Sequence, residues 1–334
     1  MVRLFPRRGF LTAAGAALVG AHPLAAAARA LVSRPASATL EALVIGTVQD
    51  AGLPQVGCYT PRCEAGRALI PPRFVSSLAL VQPDHDRFYL VDATPDITRQ
   101  IDLIQHPGFR PRASGRRPFD GIFLTHAHIG HYLGLALLGN EGLGIMDTPV
   151  FCTPRMAEFL RTNAPWSLLI QQGRIVPMPM EPETAATPEP VWHEIDENLA
   201  VRVLKVPHRD EFADTVGFVF RGPASSLLFL PDIDQWDRWD RDVAQVVQDV
   251  DIALLDGSFY SADELPGRAI EEIPHPLMPG TMDRLQSVSD AGDARIVFTH
   301  LNNSNPALDE AGAEHRETLR RGFEIAREGM RFSL

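Results

Sequence analysis

The sequence has few cysteines, few basic residues relative to acidic ones, and no long apolar run in the part expected to fold. Its 334 residues include three cysteines, and 31 lysines and arginines stand against 42 aspartates and glutamates, for a formal net charge of −11. An acidic surface repels phosphate backbones, so this balance predicts no nucleic-acid partner. One local basic cluster lies in a Pro/Gly/Ser stretch typical of a solvated loop; it comprises Arg110, Arg112, Arg116 and Arg117.

The N-terminal segment carries the features of an export signal. The pair Arg7-Arg8 precedes a short apolar run, and Ala28-Arg29-Ala30 supplies the small residues of a cleavage point. The apolar run at 9–21 is too short and too rich in Gly and Ala for a stable membrane span, which needs roughly 20 apolar residues. The Arg-Arg-x-Phe-Leu order resembles a twin-arginine signal, which implies the twin-arginine export machinery as a partner and a periplasmic location. We therefore assign residues 1–30 to the signal and 31–334 to a single folded domain.

The cysteines fall into a pair and a single residue. Cys58 and Cys63 lie close together in a turn-rich segment, and an oxidising periplasm favours a disulfide between them. Free thiols and a structural zinc site are the alternatives, although zinc would need two further ligands and no obvious pair lies nearby. Cys152 belongs to an apolar run, where a buried core residue is expected.

Short apolar segments alternate with helical patterns along the rest of the chain, which predicts an α/β fold. Strands are predicted at 40–48, 77–82, 88–91, 121–124, 199–206, 216–221, 227–230, 252–255 and 295–298. Helices are predicted at 96–105, 131–138, 236–247, 282–291 and 314–327. The sequence shows no internal repeat, low-complexity tract or domain linker after the signal.

The strongest chemical signal is the segment Thr125-His126-Ala127-His128-Ile129-Gly130-His131, which follows a predicted strand and opens a predicted helix. At a strand end, residues two apart point to the same side, so His126 and His128 can reach one ion. Neutral imidazole is a common ligand of zinc and also suits iron. The alternative, three unrelated surface histidines, does not explain their position between a strand and a helix.

This segment resembles the His-x-His-x-Asp-His signature of the metallo-β-lactamase superfamily, and matches in the expected order extend over almost all of 31–334. The resemblance implies an αββα sandwich with two mixed β-sheets flanked by helices, and a buttressing role for Asp92. It implies metal ligation by His126, His128, His131, His208, Asp232 and His300. Asp232 would bridge two metals and also serve catalysis. Four of these positions, Asp92, His208, Asp232 and His300, come just after a predicted strand, as a ligand at a sheet edge should.

One position departs from the signature. Gly130 replaces the aspartate that normally binds the second metal, which leaves His131, His300 and Asp232 for that site. We expect one tight metal, with zinc favoured and iron or manganese as alternatives, and a second that is weaker, different in kind, or absent.

Further segments resemble PQQ biosynthesis protein B, a branch of the same superfamily. They include 52–55 with the following cysteines, 92–97, 256–259, and the stretch from Thr299 to Asp309. Members of that branch typically lack the first two histidines of the metal motif and are not exported. The presence of His126, His128 and an export signal therefore favours a hydrolase-like relative.

Asp256 and His275 form a candidate catalytic pair. Their order resembles the acid–histidine pair of the tRNase Z and cyclic phosphodiesterase branches, in which the acid would orient the imidazole to protonate a leaving group. A turn aspartate and an unrelated loop histidine are an equal alternative.

The resulting hypothesis is an exported metal-dependent hydrolase of a small-molecule ester, lactone, amide or phosphodiester. The metal would lower the pKa of bound water to roughly 7, Asp232 would orient it, and His275 would protonate the departing group. The alternatives are an iron-dependent oxygenase acting on a tyrosine-derived precursor, as the PQQ branch implies, and a non-catalytic binding protein.

Overall fold

A computed structural model describes residues 39–69, 72–104, 119–187, 189–265, 267 and 274–334. The predicted export signal at 1–30 and the arginine cluster at 110–117 lie outside these residues. Two β-sheets, each with seven strands among the described residues, form the centre of the fold.

The first sheet has the strand order β14-β1-β2-β3-β4-β5-β6. Its strands are β1 (Glu41–Gly46), β2 (Ser77–Gln82), β3 (Arg87–Val91), β4 (Gly121–Phe123), β5 (Thr148–Cys152), β6 (Ile175–Pro179) and β14 (Arg331–Ser333). Strands β14, β1, β2 and β3 pair antiparallel, whereas β3 to β6 pair parallel. The carboxyl ends of β1, β3 and β4 therefore meet at one edge.

The second sheet has the order β13-β12-β11-β10-β9-β8-β7. Its strands are β7 (His193–Asp196), β8 (Leu199–Val206), β9 (Thr215–Arg221), β10 (Ser226–Leu230), β11 (Ile252–Asp256), β12 (Arg295–Thr299) and β13 (Glu324–Ile325). Strands β10 to β13 pair parallel, and β7 to β10 pair antiparallel. The carboxyl ends of β8, β10, β11 and β12 share an edge for the same reason.

Helices cover the outer face of each sheet. They are α1 (Pro61–Arg67), α2 (Ile97–Leu103), α3 (Ile129–Tyr132), α4 (Pro154–Thr162), α5 (Trp166–Gln171), α6 (Val243–Gln248), α7 (Met278–Ala291) and α8 (Ala313–Arg320). Apolar residues of α2, α4 and α5 pack on the first sheet, and those of α6 and α7 pack on the second. The order of layers is helix, sheet, sheet, helix, which confirms the predicted αββα sandwich.

A core of apolar side chains from both sheets lies between them, with Phe123 near its centre. The Phe123 ring stacks on Phe151 of the same sheet, with centroids 4.7 Å apart, and meets Phe218 and Phe220 of the opposite sheet at 5.6 and 5.3 Å. Phe123 is fully buried and is the last residue of β4. The histidine motif therefore begins directly above the packed centre of the sandwich.

Several element boundaries differ from the sequence predictions. The helix predicted for 314–327 was wrong beyond Arg320: Gly322, with φ 84°, turns the chain, and β13 then pairs parallel to β12. The helix predicted for 236–247 is interrupted before α6, which begins where the Asp242 side chain accepts a hydrogen bond from the Ala244 N–H. The helix predicted for 131–138 consists of the short α3 and a 3₁₀ segment, Leu133–Leu138.

Cys58 and Cys63 form a disulfide next to the start of α1, and Cys152 is a buried free thiol. The disulfide, the first of the three alternatives, is therefore the arrangement adopted. Among the residues that the structure describes, no helix is long and apolar enough to cross a membrane.

Candidate metal centre

The histidine loop after β4 is held from below by Asp92, the first residue after β3. Asp92 is buried, and its carboxylate accepts hydrogen bonds from the Thr125 N–H at 2.8 Å and the Thr125 hydroxyl at 2.9 Å. It also lies 2.7 Å from His131 Nδ1. An imidazole that donates from Nδ1 presents its Nε2 lone pair on the opposite side, so Asp92 fixes the orientation in which His131 can bind a metal.

His126, His128 and His208 bring three nitrogen donors together. His126 Nε2 and His128 Nδ1 are 2.9 Å apart, and the donor atoms of all three residues lie within 4.8 Å of one another. Burial and the neighbouring His131 hold the pKa of His126 well below its ordinary value. His126 is therefore neutral near pH 7 and available as a ligand.

His208 is oriented by a residue that the sequence analysis missed. Asp234 Oδ1 lies 3.0 Å from His208 Nδ1, and the other oxygen of the same carboxylate accepts a hydrogen bond from Arg238 at 2.7 Å. His208 Nε2 consequently faces Asp232, whose Oδ1 is 3.6 Å away. The sequence did contain an indication of Asp234, because this residue lies two positions after Asp232 in the segment that follows β10.

Asp232 lies at the centre of the cluster, two residues after β10. Its Oδ2 is 3.4 Å from His126 Nε2, 3.1 Å from His131 Nε2 and 3.3 Å from His300 Nε2. Burial raises the pKa of this carboxyl, but the imidazoles, His300 and His208 foremost, outweigh burial and hold the pKa well below its ordinary value. Asp232 is thus a carboxylate that can face two groups of donors at once, as a bridging ligand must.

His131 and His300 form a second group of donors next to Asp232. Asp50, from the turn after β1, joins them: its Oδ1 lies 3.5 Å from His131 Nε2 and 3.8 Å from His300 Nε2. Burial lowers the pKa of His131, but Asp92, Asp232 and Asp50 outweigh it and hold the pKa well above its ordinary value. Asp50 was not predicted from the sequence, since it lies outside every motif and reaches the site only through the tertiary fold.

The structure brings Asp256 and His275 together. Asp256 Oδ2 is 2.8 Å from His275 Nδ1, and both side chains are buried. Burial lowers the pKa of His275, but Asp256 outweighs burial and raises it. Ser258, which sequence reasoning missed, places its hydroxyl between His275 Nδ1 and His300 Nδ1, at 3.2 and 3.1 Å. The pair has the geometry of an oriented acid–base group beside the metal ligands.

Two of the residues at this edge adopt left-handed backbone conformations. Asp92 has φ 68° and His300 has φ 61°. Such values cost a non-glycine residue about 1–3 kcal/mol and persist where the surrounding structure fixes them, commonly at functional sites. Both turn the chain directly after a strand and so aim the side chain into the cluster.

A cavity of about 300 Å³ opens onto the cluster. Five potential ligands form its floor: Asp50, His128, His208, Asp232 and His300. Its walls combine the amides of Gln49, Gln55 and Asn302 with Phe259, Leu265 and Pro274, and Arg209 is the one arginine or lysine among the described lining residues. His275 also lines the cavity, within reach of a bound molecule.

The residues present fit a divalent cation. Two buried nitrogens, His131 Nε2 and His300 Nε2, have no hydrogen-bond partner in the described part of the chain, although carboxylate oxygens are near. Buried polar atoms rarely remain without a partner unless a bound ion or water satisfies them. Imidazole and carboxylate donors are the set that zinc and iron take in proteins.

This αββα fold with a histidine–aspartate cluster at its strand edges defines a class of metal-binding protein. Residues 87–301 match the family model described as a beta-lactamase superfamily domain. The chain therefore belongs to the metallo-β-lactamase superfamily, as the sequence motif indicated.

Relatives within that family cover most of the chain. Coenzyme PQQ synthesis protein B of Methylobacterium sp. (strain 4-46) is 26% identical over 325 residues, which span 88% of this chain and 100% of that protein. The protein of the same name from Pseudomonas savastanoi pv. phaseolicola is 28% identical over 320 residues, or 87% and 99%. The predicted likeness to PQQ biosynthesis protein B is confirmed.

Solved structures show the same fold. Zinc-bound PqqB from Methylobacterium extorquens superposes with a TM-score of 0.73 at 24% identity, covering 88% of this chain and 100% of that one. A diphosphatase from the PhnP family gives a TM-score of 0.60 at 18% identity, covering 89% and 97%. At these identities the likeness establishes the architecture and leaves the reaction to the site itself.

Proposed function

We propose that this protein is a metal-dependent hydrolase of a small ester, lactone, amide or phosphodiester. The observation that carries the proposal is the complete donor set. His126, His128 and His208 converge beside Asp232. In His131, His208 and His300, Nδ1 lies within hydrogen-bond distance of a side-chain oxygen, which belongs to Asp92, Asp234 and Ser258, respectively. When bound, a divalent cation would supply a nucleophilic hydroxide at neutral pH and polarise the substrate oxygen.

The protein side chains have distinct roles in this proposal. Asp232, an ionised carboxylate at the cavity floor, accepts a proton from the attacking water and fixes its direction. His275 carries a proton because Asp256 raises its pKa, and it donates this proton to the leaving group. Asp256 does not reach the cavity lining and acts by positioning His275.

The cavity favours a small substrate that carries negative charge. Arg209 lies at the cavity rim, with its guanidinium 3.5 Å from His128 Nδ1, and the amides of Gln49, Gln55 and Asn302 offer hydrogen bonds to polar groups. A carboxylate or phosphoryl group facing Arg209 would direct the scissile bond towards Asp232.

We also propose twin-arginine export to the periplasm, which rests on residues 1–30 alone. Detection of the processed chain in a periplasmic fraction would test it.

Turnover assays separate hydrolysis from the alternative chemistry. The zinc-loaded full chain is tested with chromogenic esters, lactones, amides and phosphodiesters, and the iron(II)-loaded chain is tested for oxygen uptake with a tyrosine-containing peptide. We expect hydrolysis of at least one class, with turnover reduced about 10²–10⁴-fold in His275→Gln, and no oxygen uptake. Peptide-dependent oxygen uptake without hydrolysis would favour the oxygenase, and metal-loaded protein inactive in every assay would overturn the proposed reaction.

A further inference from the structure

Gly130, where the superfamily signature has a metal-binding aspartate, is in direct contact with another carboxylate. A Cβ atom added to Gly130 would lie 2.2 Å from Asp50 Oδ1 and 2.7 Å from Asp50 Cα. Heavy atoms that are not bonded cannot approach so closely, so residue 130 must lack a side chain while Asp50 holds this position. The carboxylate missing from the motif is thus replaced in space by one that lies 80 positions earlier in the sequence.

We propose that Asp50 completes a second metal site, in which a divalent cation is held by Asp50, His131, His300 and the shared Asp232. The sequence alone predicted that this site would be weak, different in kind, or absent because of Gly130. The proposal concerns metal binding and does not depend on the reaction proposed above.

Four of the six distances between the donor atoms fit a tetrahedral site. Asp232 Oδ2 lies 3.1 Å from His131 Nε2 and 3.3 Å from His300 Nε2, and Asp50 Oδ1 lies 3.5 and 3.8 Å from the same two nitrogens. Donors bound tetrahedrally to zinc at its usual bond lengths lie about 3.3–3.6 Å apart. The four distances scatter around this range.

The nitrogens of this group have no other use in the described structure. His131 Nε2 and His300 Nε2 are buried and lack hydrogen-bond partners among the described residues, while each ring is already fixed from its Nδ1 side, by Asp92 and by Ser258. Rings that are oriented at one nitrogen and unsatisfied at the other are typical of metal ligands. Their unpaired nitrogens face the same carboxylate oxygens of Asp50 and Asp232.

The turn that presents Asp50 is anchored to the strand that presents His300. The Gln49 N–H donates to the Leu301 carbonyl at 3.1 Å, and the Leu301 N–H donates to the Thr47 carbonyl at 3.0 Å. The Gln49 side chain also donates to Ser258 Oγ at 3.0 Å, beside His300 Nδ1. Asp50 is therefore fixed relative to His300 by backbone pairing, as a ligand needs to be.

Metal stoichiometry tests the proposal without reference to turnover. The full chain is stripped of metal, titrated calorimetrically with zinc, and compared with Asp50→Ala, Asp50→Asn and, as a matched control, Asp102→Ala on the exposed face of α2. We expect two zinc ions per chain for the wild type and the control. Replacing a partner of a metal ligand costs about 10–100-fold in affinity, so removing Asp50 itself should weaken one site by about 100-fold and leave the other unchanged.

A second variant disturbs the same site from the opposite side. Gly130→Ala places a methyl group against Asp50 and should displace it, weakening the same zinc ion while the first one keeps its affinity. The difference between the cobalt(II) spectra of the wild type and of each variant reports whether the lost site is tetrahedral. Thermal unfolding shows that each variant folds. A wild type that binds one zinc ion, or an Asp50→Ala variant that binds two with unchanged affinity, would overturn the proposal. The proposal would also be overturned if Asp50→Asn left both zinc affinities unchanged and lowered only the stability of the metal-free protein. Asp50 would then be a structural partner of His131.

Discussion

The contact between Asp234 and His208 allows a graded test of how the first metal site is built. The Asp234 carboxylate accepts from His208 Nδ1 with one oxygen, at 3.0 Å, and from Arg238 with the other, at 2.7 Å. Asp234→Ala removes the acceptor that fixes the His208 ring. Loss of such a partner costs about 10–100-fold in metal affinity, which corresponds to about 1.4–2.7 kcal/mol.

Two further variants divide this effect into its parts. Asp234→Asn keeps one acceptor for His208 but loses the negative charge, so we expect a smaller loss, within about tenfold. Arg238→Gln removes only the outer partner, whose side chain is 66% exposed, and should leave the zinc affinity close to that of the wild type. Competition between the metal-free protein and a chromophoric chelator measures all three dissociation constants, and thermal unfolding confirms folding.

The relative zinc affinities of the three variants show whether Asp234 orients His208. If Asp234→Ala bound zinc as tightly as the wild type, the orientation of His208 would not depend on Asp234. If Arg238→Gln weakened zinc binding as much as Asp234→Ala, the Arg238–Asp234 ion pair would be needed as well, and the hydrogen bond to His208 Nδ1 would not by itself account for the effect.

Three other predictions concern stability. In the metal-free protein, the raised pKa of His275 contributes stability that is present below the ordinary histidine pKa of about 6.5 and is lost as pH rises through the raised value. The free energy of urea unfolding of the wild type should therefore exceed that of His275→Gln by the largest margin at low pH. A difference that grows as pH rises would contradict this. Arg202 makes two 2.9 Å contacts with the buried Glu183. Arg202→Met should lower the free energy of unfolding by about 3–5 kcal/mol, and the double variant with Glu183→Leu should recover much of this loss. A double variant that recovers none of it would show that the ion pair itself is stabilising. Phe123→Ala should cost about 3–5 kcal/mol by urea unfolding because the ring packs against both sheets, whereas Phe123→Leu should cost clearly less; equal losses would show that volume is not the cause.

The candidate ligands that the sequence indicated lie directly after apolar strands. His126, His208, Asp232 and His300 each follow a strand within three residues. Within the second sheet, β8, β10 and β12 run in the same direction, so His208, Asp232 and His300 lie at one edge of that sheet. Asp256 and His275 were paired only as one of two equal alternatives, since no local pattern shows that residues 19 apart will touch at 2.8 Å.

What the sequence could not predict depends on contacts between distant segments. Asp50 reaches the cluster because residues 47–49 pair with Leu301, an interaction across more than 250 positions that leaves no periodic trace. Gly130 was interpreted as the loss of a ligand, because a glycine in a motif does not reveal which neighbour occupies the vacated space. The end of α8 was also misplaced: apolar spacing continues past Arg320, but the edge of the second sheet takes Glu324 and Ile325 as a strand.

The donors of the metal cluster are divided between the two sheets. Asp50, His126, His128 and His131 follow strands of the first sheet, and His208, Asp232 and His300 follow strands of the second. Neither half of the chain holds a full set of ligands, so a cation can be captured tightly only once the halves have docked. A bound ion would then act as a cross-link at the open end of the sandwich, and its binding energy would add to the cohesion of the halves. Chelation should therefore loosen this end first, while the aromatic packing around Phe123 keeps the sheets together below it.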